Sequence, residues 1–274
     1  MASTVVLLRA LGTLGILDTY TGRIAVGWLV VEDLAMVLVL VLLPPLSGVL
    51  GGNAAAATSV SIWQTLGWTL LQVGGFVALM LVVGRRVFPW VLWQVARTGS
   101  RELFTLCVVA AAVGIAFGSA VLFGVSFALG AFFAGMVMRE SEFSHRAAQE
   151  SLPLRDAFAV LFFVSVGMLF NPSVMWARPL EVLAVVASIL VGKSLAAAAV
   201  VLAVRYPLHT ALTVSASLAQ IGEFSFILVG LGASLGLLPP EGASLVLAGG
   251  LISIALNPLV FRAIAPLQKW LLAR

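Results

Sequence analysis

Charge is scarce in this chain: Lys, Arg, Asp and Glu make up 9% of its 274 residues, against 62% hydrophobic residues. With a mean hydropathy of +1.15, that scarcity excludes a soluble domain with a hydrated surface and leaves an integral membrane protein. Cysteine is nearly absent. The lone thiol, Cys107, lies in an apolar segment, which excludes an intramolecular disulfide and says nothing of compartment. The opening MASTVVLLRALG lacks the basic region and small-residue cleavage site of a signal peptide and reads as part of the mature chain. There is no glycine-rich dinucleotide fingerprint on a strand-to-helix turn, so no cofactor is assigned. Both histidines, His145 and His209, read as loop residues. That leaves no metal set and no nucleophile with its base in one cavity, which argues against a membrane-embedded enzyme.

Long apolar runs are what the chain does have. At about 20 apolar residues per span, they divide into about nine candidate segments: 1–12, 24–46, 61–84, 103–122, 123–138, 157–171, 181–204, 208–235 and 242–264. The fold expected is all-α and polytopic, with a transmembrane domain over 1–264 and a cytoplasmic tail over 265–274. If the segments alternate across the bilayer, every basic residue falls on one side except Arg178, on the other, and Lys193, inside a span. The positive-inside rule then puts the C-terminus in the cytoplasm and the N-terminus outside, in the cell's inner (plasma) membrane. This sorting accounts for the net charge of +4 without a nucleic acid partner.

Trp63, Trp68, Trp90, Trp93, Trp176 and Trp270 fall near span ends, where interfacial indoles belong. Residues 85–102 read either as an interfacial helix or as an extension of the preceding span, and 139–156 as a solvated linker helix. Gly124, Gly130 and Gly135, with Ala131 and Ala134, give segment 123–138 a small-residue face for close helix packing.

The few charges inside spans carry the functional signal. Glu32 and Asp33 interrupt IAVGWLVVEDLAMVLVLVLLPPL, where a charged side chain costs about 2.5–3.5 kcal/mol or more, so they are expected to face a wet cavity. At 1.5 Å per residue, Asp33 lies about 14 Å into its span, Lys193 about 18 Å and Glu223 about 22 Å. An acid and a lysine can therefore meet near mid-depth. Burial disfavours both charges and pairing favours them, so a cation and a proton can compete for one carboxylate near neutral pH. The bland alternative is that Asp33 and Lys193 only lock the bundle as an ion pair. Adjacent helical residues point about 100° apart, so Glu32 does not share the face of Asp33; it is either a second ligand or a neutral, protonated neighbour.

Two segments look like broken helices, the device by which transporters present backbone groups at the midplane. SLAQIGEFSF interrupts 208–235 with Gln220, Gly222 and Glu223, and the opening segment is too short to span and carries Ser3 and Thr4 at its start. Each is followed by a full span, which hints at two related halves.

At these residues the chain resembles the monovalent cation:proton antiporter-2 family, especially its Kef-type potassium/proton members. The resemblance runs nearly end to end through ASTVVLLRAL, GRIAVGWLVVEDLAMV, GAFFAGMVMRESEFSHR, LRDAFAVLFFVSVGMLFNP and LAQIGEFSFILVGLG, of which EDLA and QIGEFSF are the specific motifs. It implies an inverted-repeat, sodium/proton-antiporter-like bundle that forms a homodimer, with discontinuous crossing helices beside the ion site. It further implies Asp33 as the carrier of cation and proton, and Lys193 as a charge-balancing residue. Typical Kef-type members have glutamine where this chain has Glu32. They also begin with further helices and commonly end in a regulatory domain, so this chain is expected to be a truncated transmembrane part. The reading is thus a K+ or Na+:H+ antiporter; a passive cation channel and an inactive fragment or partner-dependent subunit are the alternatives.

Overall fold

The computed structural model describes residues 1–52 and 62–272. Ser61, where the third segment was expected to begin, Arg274, and the side chains of Lys269 and Trp270 lie outside the described set. All regular structure among the described residues is helical: α1 Thr4–Thr13, α2 Tyr20–Leu46, α3 Ile62–Leu79, α4 Arg85–Ala96, α5 Arg101–Phe123, α6 Phe127–Arg139, α7 Ser144–Leu169, α8 Ser173–Ala177, α9 Pro179–Ala187, α10 Lys193–Ala203, α11 Leu208–Ser217, α12 Glu223–Ser234 and α13 Pro240–Leu272. Two π-helical turns, Met80–Gly84 and Ser188–Gly192, carry α3 into α4 and α9 into α10.

Each expected apolar segment contains helix, though 208–235 is interrupted. Six stretches are long and apolar enough to cross a membrane: Tyr20–Leu46, Trp63–Ala96, Arg101–Phe123, Ser144–Leu169, Pro179–Ala203 and Pro240–Ile264. Helices α1, α6 and α12 are apolar but shorter. Outward side chains elsewhere suit lipid: Trp63 on α3 is 79% exposed, Met168 on α7 82% and Trp176 on α8 80%. Such exposure would be untenable in water over so many large apolar groups.

One open reading is decided and other local expectations give way. Residues 85–96 continue the preceding span rather than lying apart from it, and the helix stops near Gly99, whose φ of +73° favours glycine. Residues 144–156 are continuous with the following span in one 26-residue helix. Nothing in SHRAAQES halts a helix, and the Arg146–Glu150 pair at 3.0 Å supports it one turn apart. His145 and His209 sit in the first turns of α7 and α11 rather than in loops, and α13 stays helical to Leu272, beyond its membrane-competent stretch Pro240–Ile264.

The chain forms two compact units, Met1–Met36 with Val160–Arg274, and Val37–Ala159. In the second, Phe76, Met80, Phe88, Leu92, Phe104 and Leu129 anchor the core. Helices α5 and α6 form its tightest pair. Ser100 and Ser126 cap their starts through bonds from Leu103 N (3.1 Å) and Leu129 N (3.2 Å), and Gly124 in the left-handed region ends α5. The small-residue face is narrower than expected. Gly130 and Ala134 are buried, and a β-carbon on Gly130 would lie 2.7 Å from Ala116 Cα, whereas Gly135 faces open space.

In the first unit, Leu7, Leu11, Leu29, Val214 and Leu218 form one core cluster, and Val166, Ile189, Ile221 and Phe226 another. Helix α11 is buried nearly all round, from Thr210 through Ser217, so its backbone ends must be satisfied by protein groups.

Candidate ion and proton site

Segment 208–235 is two helices, not one. Helix α11 stops at Ser217, residues 218–222 leave helical geometry, and α12 restarts at Glu223 behind an extended Gly222 (φ −120°, ψ −168°). Gly222 is required by proximity: a β-carbon there would lie 2.6 Å from Ser3 N and also strike Ser3 Cα.

The break is bound to the start of α1. Gln220 Oε1 accepts from Ser3 N at 2.9 Å, Gln220 Nε2 donates to Ser3 O at 3.3 Å, and Gly222 N donates to Met1 O at 3.0 Å. Ser3 and Gln220 are both fully buried. One glutamine amide thus serves a donor and an acceptor that the helix start leaves free, while Ser3 Oγ caps α1 by accepting from Val6 N at 3.4 Å. Thr4 is the first residue of α1, and no hydrogen bond of its hydroxyl is present among the described residues.

The two adjacent acids have opposite surroundings. Glu32 is tied on every side: Oε2 accepts from Ala2 N at 2.9 Å and Lys193 Nζ at 3.2 Å, and Oε1 accepts from Trp28 Nε1 at 3.3 Å. Lys193 Nζ also donates to Gln220 O at 3.4 Å. Both side chains of the ion pair are about four-fifths buried, at 20% and 19% exposure. Asp33 has no such company; its Oδ1 is buried without a hydrogen-bond partner, and so is Oε2 of Glu223. Lys193 therefore pairs with Glu32, whereas depth alone suggested Asp33; the 100° turn between neighbouring helical residues lets only one acid meet the lysine.

Glu32 and Lys193 cancel in charge, and two buried carboxylate oxygens, Asp33 Oδ1 and Glu223 Oε2, are left without a hydrogen-bond partner. No cluster of three or more metal-ligating side chains is present among the described residues. A π-helical turn ends at Gly192, immediately before Lys193; such turns are frequent at functional sites.

Three residues around the site escaped the sequence reading. Trp28 looked like one more apolar residue, although its spacing of four from Glu32 is the signal that could have found it. Ser253 and Asn257 on α13, also four apart, bond to the break from behind: Ser253 Oγ accepts from Ile221 N at 3.4 Å and Asn257 Nδ2 donates to Ala216 O at 2.9 Å.

Residues 1–266 match the family described as "Sodium/hydrogen exchanger, transmembrane". The chain is 58% identical over 270 residues to "Putative cation/proton antiporter YbaL" of Escherichia coli (strain K12), covering 98% of this chain and 48% of that protein. It is 32% identical over 266 residues to "K(+) efflux antiporter 6" of Arabidopsis thaliana, covering 96% and 43%. With "Glutathione-regulated potassium-efflux system protein KefC" of Cronobacter sakazakii (strain ATCC BAA-894) it shares 29% identity over 272 residues, covering 98% and 42%. The chain thus spans about half the length of the curated relatives it matches.

Proposed function

The chain belongs to the transmembrane sodium/hydrogen exchanger family, and from that premise we propose that it exchanges a monovalent cation, K+ or Na+, for H+ by alternating access. Asp33 is the carrier in this reading. The observation that carries it is the contrast between neighbours: Glu32 is held by three donors, while Asp33 keeps a buried carboxylate oxygen free. A carboxylate already tied to a lysine and two N–H groups is a poor exchanger, because a cation would have to displace all three. One left unpartnered in a low-dielectric setting binds whichever of proton or cation arrives.

Glu32 then acts as the fixed acid of the site, Lys193 as its counter-charge, and Gln220, Gly222 and Ser3 as the scaffold of the crossing. Glu223, with its own free oxygen, supports the same site from the start of α12. The potassium-efflux names of two relatives favour K+ as the first cation to try. The wider reading has about nine crossings in an inverted repeat, with α1 followed by α2 and the broken α11–α12 followed by α13 as its related parts, and a homodimer in the plasma membrane with a cytoplasmic C-terminus. The joining of α1 to the α11–α12 break through Ser3 and Gln220 supports that crossing arrangement.

The test is proton movement driven by a cation gradient in proteoliposomes, with K+ and Na+ applied separately. Coupled exchange that vanishes in Asp33→Asn supports the reading. Cation flux without proton counterflow would replace it with a channel, and full exchange in the variant would remove Asp33 from the site.

A further inference from the structure

The carbonyl that holds Lys193 and the amide that meets Ser253 belong to one peptide unit, that between Gln220 and Ile221. Gln220 O accepts from Lys193 Nζ at 3.4 Å, and Ile221 N donates to Ser253 Oγ at 3.4 Å. Ser253 is fully buried and in turn donates to Gly250 O at 2.9 Å, which fixes its hydroxyl hydrogen on α13 and leaves a lone pair aimed at Ile221. Helix α13 is seated firmly for this task. A β-carbon on Gly250 would lie 2.6 Å from Phe226 Cζ, and one on Gly249 2.5 Å from Val185 Cγ1, so the helix cannot back away from α12 and α9 without opening packed contacts.

We propose that Ser253 is a positioning residue for ion exchange: it orients the Gln220–Ile221 peptide plane so that its carbonyl faces Lys193, and through Lys193 it sets the state of the Glu32–Lys193 pair. The inference rests on the exchange reading above. A free peptide plane in an unwound segment can rotate, and turning the carbonyl away would leave the ammonium with Glu32 alone. A hydrogen bond to the N–H end both blocks that rotation and polarises the carbonyl at the other end. The charged groups around Lys193 are Glu32 and Asp33 on α2 and the amino group of Met1; Glu223, at the start of α12, neighbours Asp33 and not Lys193. Ser253 carries no charge of its own, so any influence on proton coupling has to pass through the peptide.

Asn257, one turn further along α13, provides the contrast. Its bond goes to Ala216 O, on the last turn of α11, and not to the peptide that meets Lys193.

The experiment measures the pH profile of cation-driven proton exchange for the wild type, Ser253→Ala, Ser253→Thr, Asn257→Ala, Lys193→Gln and the Ser253→Ala/Lys193→Gln double variant, with K+ and Na+ as probes. Both bonds to the peptide are long, so Ser253→Ala is expected to displace the profile by about half a pH unit, the size of one weak neutral hydrogen bond, without abolishing transport. Ser253→Thr restores the profile, and Ser253→Ala adds nothing in the Lys193→Gln background. Asn257→Ala lowers the melting temperature without that displacement. An unmoved profile in Ser253→Ala, an equal displacement in Asn257→Ala, or a full further displacement in the double variant overturns the inference. If wild type shows no exchange, the transport reading itself fails. The inference then stands or falls on amide hydrogen exchange over 218–222, which Ser253→Ala must accelerate and Asn257→Ala must not accelerate at Ile221.

Discussion

Exchanging one oxygen for nitrogen at Glu32 should damage this protein, while the same exchange next door at Asp33 should not. Glu32 accepts three N–H donors, from Ala2, Lys193 and Trp28. In Glu32→Gln one end of the amide becomes a donor, so at least one of those N–H groups faces another N–H, and Lys193 loses its ionic partner. Removing one member of a fully buried ion pair costs about 3–5 kcal/mol. The one-fifth exposure of both side chains lets solvent relieve part of this, leaving about 2–3 kcal/mol, to which an orphaned donor adds about 1 kcal/mol. Asp33→Asn removes a charge whose Oδ1 has no partner, so stability should hold or rise. Denaturant titration of the purified protein in detergent measures both. Glu32→Gln within about 0.5 kcal/mol of wild type, or Asp33→Asn as destabilised as Glu32→Gln, would refute the division of roles between the two acids.

Other substitutions probe the scaffold. Gln220→Ala strips partners from both Ser3 N and Ser3 O at a fully buried position and should cost about 2–4 kcal/mol in the same titration, with Gln220→Glu no better because a carboxylate would meet the Ser3 carbonyl. Gly222→Ala should prevent the crossing from forming, read as loss of cation-driven proton exchange, because the added methyl meets Ser3 backbone that cannot yield. In the second unit, Gly130→Ala should force α5 and α6 apart at Ala116 and Ser119 and cost about 1–3 kcal/mol, measured by thermal unfolding, while Gly135→Ala should be neutral.

Much of the architecture could be read from hydropathy because apolar runs in a membrane protein have few alternatives to helix. The break at 218–222 was legible for a related reason: Gln220, Gly222 and Glu223 together have no place in an intact apolar span. Continuity of 144–156 with the following span was not legible, and 85–96 stayed open between two readings, since a separate linker helix and an extended span have similar composition and only packing and pairing distinguish them. At the site, depth along the axis brought Lys193 to the level of the acids, but the choice between Glu32 and Asp33 depends on rotation about α2, which depth does not report. Ser253 and Asn257 stayed hidden because isolated polar residues in a span are common, and their partners are backbone groups that no side-chain pattern reveals.

The claim that one carboxylate serves both ions can be tested without a membrane. Purified protein in weakly buffered detergent solution, given K+ or Na+ in the presence of a pH indicator, should release protons as the cation binds. The account predicts release in wild type and in Glu223→Gln and none in Asp33→Asn. Undiminished release from Asp33→Asn would contradict it, because the proton displaced by the cation would then come from another group.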